Sequence, residues 1–186
     1  MNAQTGAVDR DPVFRAAQLT LLLDVLASVQ PAGTDIERLA VYDFLAEHPL
    51  LLARHDDDPD RVRLRLAGFD DSALSYASAA QRFVGRRLRL SADLAWLIAR
   101  GLVGASADGR VRYLITDTGH RVAASFRSMY ASAYTDAARI VVGRLGRISD
   151  RRLRESLREW LAIGVATRFR PSGDEVSAPL RQETNP

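Results

Sequence analysis

The side chains in this chain best suited to chemistry are its arginines. All 26 basic residues are Arg, and none is Lys. A guanidinium stays charged, offers five donors in a planar fork and matches phosphate or carboxylate, so it serves recognition better than proton transfer. Without lysine there is neither a Walker lysine nor a Schiff-base amine. Without cysteine there are no disulfides and no Cys-based zinc sites. The three histidines, His48, His55 and His120, are scattered and form no His-x-x-x-His or His-Glu pattern, so zinc is not expected. The acidic run Asp56-Asp57-Asp58 with Asp60 lacks the ligand spacing of a calcium loop and reads as a solvated charge run. Ser106 and Asp108 have no histidine near them, so nucleophilic catalysis has no support. The expectation is a protein with no catalytic residues, no cofactor and no metal.

The arginines are not spread evenly. Arg86, Arg87 and Arg89 open one candidate helix, and Arg110 and Arg112 lie in a candidate hairpin just after it. These five are the candidate DNA contacts, placed where a winged helix carries phosphate and base contacts. The same helix then presents Leu88, Ser91, Ala92 and Ala95, with none of the Asn or Gln that reads adenine. Nucleic-acid contact is therefore expected to be weak and salt-sensitive. Arg without Lys is also what GC-rich codon usage produces, and the formal charge of +3 is modest for 186 residues. A second set, Arg151, Arg154 and Arg158, lies on the last helix and suits an acidic protein surface. Trp96, Tyr130 and Tyr134 complete the candidate partner interface, since each joins a large ring to a polar tip.

The elements that must position these residues follow from periodicity and punctuation. Val13 to Val29 reads as a helix with a broad apolar face, broken by Pro31-Ala32-Gly33. Thr34 and Glu37 have capping-box spacing before a second helix that stops ahead of His48-Pro49. Pro49 to Leu66 reads as irregular. Asp71 or Ser72 caps a third helix running to about Phe83, and Gly85 marks a turn into the Arg-rich helix. There Leu90, Leu94, Leu97 and Ile98 form an apolar face, and Gly101 sits at the C-terminal stop. Leu102 and Val103 pair across an Asp-Gly turn with Val111, Tyr113 and Ile115 as a hairpin. A long helix then runs from Thr118-Gly119 to Leu145, with Val122, Phe126, Tyr130, Ala133, Ala137 and Val141 on one stripe. At roughly 27 residues it would span roughly 40 Å. Ser149 caps a last helix carrying Leu153, Leu157, Trp160 and Leu161.

The expected fold is mainly α: a winged helix-turn-helix with a small β-hairpin wing and additional N- and C-terminal helices. Residues 1–12 read as a disordered tail, 13–163 as the winged-helix domain with its helical extension, and 164–186 as a flexible tail. Apolar content of 47% supports a packed core. No run approaches the roughly 20 apolar residues of a membrane span. The N-terminus lacks the pattern of a signal peptide, so a cytoplasmic location and no membrane contact are expected.

Several strings resemble one family. Ala32-Gly33-Thr34-Asp35-Ile36-Glu37-Arg38-Leu39 with Tyr42-Asp43, the Arg86-Arg87 start and the Trp96 to Val103 helix end are three of them. The fourth is Tyr130 and Tyr134 with Ser149-Asp150, Leu157 and Trp160. Together, from about Val13 to Ala162, they resemble the middle component of three-component ABC systems, the small winged-helix subunit found beside an SMC-like ABC ATPase and an effector component in bacterial antiphage defence. The resemblance implies a noncatalytic adaptor whose partners are that ATPase and the effector. It supplies no ligand residues. The alternative from the elements alone is a dimeric winged-helix transcriptional regulator that binds DNA, with the long helix forming the homodimer.

Overall fold

The computed structural model describes residues 11–70, 79–107 and 109–166. They form seven α-helices and one antiparallel hairpin: α1 (Pro12–Ala27), α2 (Ile36–Glu47), a short 3-10 turn (Pro49–Leu51), α3 (Pro59–Leu66), α4 (Ala79–Ala99), β1 (Val103–Ser106), β2 (Arg112–Ile115), α5 (Asp117–Ser125), α6 (Met129–Leu145) and α7 (Asp150–Ala166). The expected tails at residues 1–10 and 167–186, and the expected Asp71 or Ser72 cap, lie outside the described residues.

Helix α1 is the centre of the molecule. Asp11 caps it by accepting from the Val13 amide at 2.8 Å, and Pro12 starts it without wasting a donor. Leu19, Leu22, Leu23 and Leu26 are buried, but so are Arg15, Gln18 and Thr20 on other faces. A helix buried nearly all round must be covered on several sides. Here α2, α4, α5, α6 and β2 all pack on it.

Helix α2 begins differently from the capping box read in the sequence. Asp35, not Thr34, is the N-cap, accepting from the Arg38 amide at 2.9 Å. Glu37 does not reach back to the cap; it pairs with Arg87 of α4. Thr34 is held elsewhere by its backbone. Its N–H donates to the Tyr113 carbonyl at 3.0 Å and its carbonyl accepts from the Tyr113 N–H at 2.8 Å, adding a one-residue bridge to β2. Gly33 makes this approach feasible: its φ is +79°, and a Cβ there would lie 2.8 Å from the Tyr113 carbonyl oxygen.

Three further corrections concern helix boundaries. First, α4 runs unbroken through Gly85, so no turn separates a third helix from the Arg-rich one. A helical glycine costs about 0.5–1 kcal/mol relative to alanine. The residues on either side are anchored: Phe83 meets Phe44 edge-on at 5.5 Å, and Arg86 is bound by Asp43. Second, the long helix breaks. Phe126 turns extended, and Ser128 caps a new helix by accepting from the Ala131 amide at 3.1 Å. The restart shifts the phase, so Ala131, Tyr134, Ala138, Val141 and Leu145 are buried while Phe126 and Tyr130 are not. Third, Pro49 to Leu66 is not irregular. It holds the 3-10 turn and α3, whose cap is Asp58.

A hairpin forms where one was read, with Val103 opposite Ile115 and Ser106 opposite Arg112, but its strands are shifted: Leu102 and Val111 lie outside them, and Ala105 and Ser106, read as turn, belong to β1. The stop before it is a Schellman arrangement. The Leu102 N–H reaches the Leu97 carbonyl at 3.0 Å, the Gly101 N–H reaches Ile98 at 2.9 Å, and Gly101 has φ +67°. On α4, Leu90, Leu94 and Leu97 are buried, but Ile98 is exposed rather than in the core. Among the described residues no helix is long and apolar enough to cross a membrane.

Candidate functional site

Two polar assemblies lock the helices before any surface is considered. The first is buried where α1, α2 and α4 meet. Asp43 is 1% exposed and accepts four hydrogen bonds from two guanidinium forks. Arg15 gives both Nη atoms to it at 3.0 Å, and Arg86 gives Nε at 2.6 Å and Nη2 at 3.0 Å. Arg15 also reaches Asp93 at 3.1 Å, and Arg86 also pairs with Glu47. Gln18 accepts from both arginines, at 3.1 and 2.9 Å, and donates to the Tyr130 hydroxyl at 2.6 Å. Two cations face three carboxylates. Burial alone would raise the Asp43 carboxyl, but Arg86 and Arg15 outweigh it and hold that carboxyl well below the usual carboxylate range. Burial alone would lower the Arg15 guanidinium; Asp43, with Tyr134 and Asp93, more than reverses this.

The second assembly ties α3 to α6. Arg144 forks Asp58 at 2.6 and 2.9 Å and reaches Asp60 at 2.5 Å. Asp58 also caps α3 through the Asp60 amide at 3.0 Å. The Arg144 bonds pull the Asp58 carboxyl below its ordinary value. Part of the acidic run read as a solvated loop is therefore an anchor, while Asp56 and Asp57 do remain exposed. Among the described residues no group of three or more His, Asp or Glu side chains is placed to hold a metal ion.

These assemblies redistribute the residues singled out from sequence. Arg86, a candidate DNA contact, is 6% exposed and belongs to the Asp43 assembly, so it faces no groove of DNA. Its neighbour Arg87 is at the surface but is engaged by Glu37. Arg112 donates to the Gly33 carbonyl at 3.2 Å. Arg89 is exposed, and Arg110 is exposed with only a 3.8 Å approach to Asp150. The five thus form no continuous basic face.

The candidate interface aromatics also separate. Tyr134 is 1% exposed and is a core residue, not an interface residue; burial, reinforced by Asp43, pushes its hydroxyl far above the usual tyrosine value. That hydroxyl has no hydrogen-bond partner among the described residues. Tyr130 is half-exposed, its ring 4.9 Å from Phe14 and 6.1 Å from Tyr134. Trp96 is half-buried against the core, with the Arg100 guanidinium 3.4 Å from its ring centroid. Arg151, Arg154 and Arg158 are exposed on α7, as expected; Arg151 pairs with Glu155 at 3.0 Å.

No family model, curated protein or solved structure matches this chain.

The surface feature that sequence reading missed is a groove of about 730 Å³ walled by α2, α4 and α7, with the wing tip at one side. Ile36, Val41 and Phe83 line it from α2 and α4, and Leu153 and Leu157 from α7. Val84, Leu88 and Val111 stand at it while exposed, Leu88 by 74%. The rim is mixed in charge, with Asp35, Glu37 and Asp150 beside Arg38, Arg87, Arg110 and Arg154. In the sequence Leu88 reads only as part of a smooth surface unsuited to reading DNA. What could have pointed to the groove is that the Leu88 surface and the Leu153–Leu157 stripe each lack a partner within their own helix.

Proposed function

We propose that this chain is a noncatalytic winged-helix adaptor, one that docks on a larger SMC-like ABC ATPase in a bacterial three-component defence system. The observation that carries the adaptor reading is the state of the candidate recognition face. Of its arginines, Arg86 is consumed in the core, Arg87 is engaged by Glu37 and Arg112 is bonded to Gly33, while Leu88 and Val111 stand exposed beside an apolar groove. A face built this way offers protein complementarity and few free phosphate forks. Element order supports the winged-helix assignment. Helix α1, a bridge at Thr34, helices α2, α3 and α4 and a hairpin follow in order, and the bridge pairs with the second wing strand. The defence context and the identity of the ATPase rest on the family resemblance of the sequence strings.

The test is recovery of the tagged chain from its own cells, with mass spectrometry of what accompanies it, alongside titration with duplex DNA. The expected result is a coiled-coil ATPase in stoichiometric amount and only weak DNA binding that falls with salt. Specific sites are bound at roughly 10⁻⁸–10⁻¹¹ M. Binding of that strength to one palindromic duplex, without an ATPase partner, would establish the dimeric regulator instead.

A further inference from the structure

We infer that the groove between α2, α4 and α7 binds an amphipathic helix from a partner protein, a helix with an apolar stripe and acidic flanks. This rests on the adaptor reading above and names the surface it uses. The floor is apolar and sunken, formed by Val41, Phe83 and Leu153, and Leu88 and Val111 are exposed at its edge. Its walls are mainly helices, whose interior backbone groups are spent within those helices, with the wing tip at one side. An extended strand would find no ladder there, whereas a helix brings its own backbone bonds satisfied and needs only side-chain anchors at i, i+3, i+4 and i+7. The volume, about 730 Å³, is that of a cleft able to take several such anchors.

Charge selects the flanks of the guest. Glu37 and Arg87 neutralise each other, as do Asp150 and Arg38. Arg110 is left with a 3.8 Å approach to an already paired Asp150 and is 77% exposed. The Arg154 side chain donates to the Asp150 backbone carbonyl and to no carboxylate among the described residues. With Asp35 also at the groove, where its side chain caps α2, the surplus at the rim is one positive charge, presented by Arg110 on the wing and Arg154 on α7. Carboxylates beside the apolar stripe of a guest would meet them, while lysines there would be repelled.

The experiment uses the full chain and two peptides of roughly 18 residues, about five helical turns. Both carry leucines at i, i+3, i+4 and i+7; one has glutamates flanking the stripe, the other lysines at the same positions. The expected result is saturable binding of the acidic peptide, with amide shifts centred on Leu88, Val111 and Leu153. The basic peptide should bind at least about tenfold more weakly, which is ~1.4 kcal/mol. The gap should narrow as salt is raised. Leu88→Glu, at an exposed position, should abolish binding with the fold kept, and Arg154→Glu should reverse the preference between peptides. Equal affinity for the two peptides, shifts centred elsewhere, or no saturable binding would overturn the inference. So would a concentration-dependent dimer dissolved by Leu88→Glu, which would make a second copy the occupant. Recovery of the ATPase with both wild type and Leu88→Glu would keep the adaptor reading and remove the groove from it. Peptide binding without any ATPase partner would do the reverse.

Discussion

Arg86 and Arg87 are adjacent, identical in type and opposite in fate. One turns inward to Asp43 and Glu47 and is 6% exposed; the other turns outward to Glu37 across open solvent. The inner assembly ties three helices through charges that have lost their water, so each member depends on all the others. The outer pair sits in high dielectric and is screened, so either partner can be lost cheaply. The inner region of α4 has been fitted for specificity of packing, and the outer one is free to serve recognition. A cluster of arginines in sequence is thus no measure of a basic surface.

The sharpest way to break this contrast is to truncate the inner arginine. Arg86→Ala leaves Asp43 and Glu47 short of a counter-charge in the interior and should cost about 3–5 kcal/mol, as for other broken buried pairs. Chemical denaturation measures it, and a loss under about 1 kcal/mol would show that the assembly is looser than its distances imply. Next comes Tyr134. Truncation to Ser should cost about 3–5 kcal/mol, by analogy with other large aromatic truncations in cores. Tyr134→Phe removes only a hydroxyl with no partner among the described residues and should leave stability unchanged or raise it. A clear loss in Tyr134→Phe would reveal a bond to that hydroxyl.

Acid should act on the same region. Asp43 is held below its ordinary value when folded, so its contribution is fully present above the unfolded carboxylate value of about 3.9 and fades as pH falls through and below it. Wild type should therefore lose stability more steeply than Asp43→Asn between neutral pH and pH of about 2. Parallel pH profiles for the two proteins would contradict this. The smallest effect belongs to the outer pair: Arg87→Ala should cost about 0.2–1 kcal/mol and less in high salt. A loss as large as that of Arg86→Ala would erase the distinction.

How much of this was legible is a matter of which forces act locally. The presence of a hairpin and the stop at Gly101 were readable, because alternating apolar residues and a glycine at positive φ act within a few residues. The stop of α2 ahead of His48-Pro49 was readable for the same reason, and the core role of Leu90, Leu94 and Leu97 from their helical spacing. The break after Phe126 was not. The Phe126-Arg127-Ser128 stretch has no Pro or Gly, and the signal was only a serine three residues ahead of the Ala131 amide it caps. Gly85 misled in the opposite direction, since contacts from Phe83 and Arg86 to α2 override its local preference. The Asp43 assembly gave a fainter sign: Arg15, Gln18 and Asp43 each sit among apolar residues, where a polar side chain needs a partner from another element. Which partner, 28 or 43 positions away in sequence, is fixed only by tertiary packing.

Arg38 carries one more consequence. Its guanidinium holds the Leu145 and Ile148 carbonyls at 2.8 and 2.7 Å, the Asp150 carboxylate at 2.6 Å and the Tyr42 hydroxyl at 2.7 Å. It is a pin: one side chain of α2 ties the end of α6 to the start of α7. The wall that α7 gives the groove is thereby fastened to the wall given by α2. Arg110 at the wing tip approaches the same Asp150. That carboxylate is thus shared between a bonded partner on α2 and a more distant one at the wing tip.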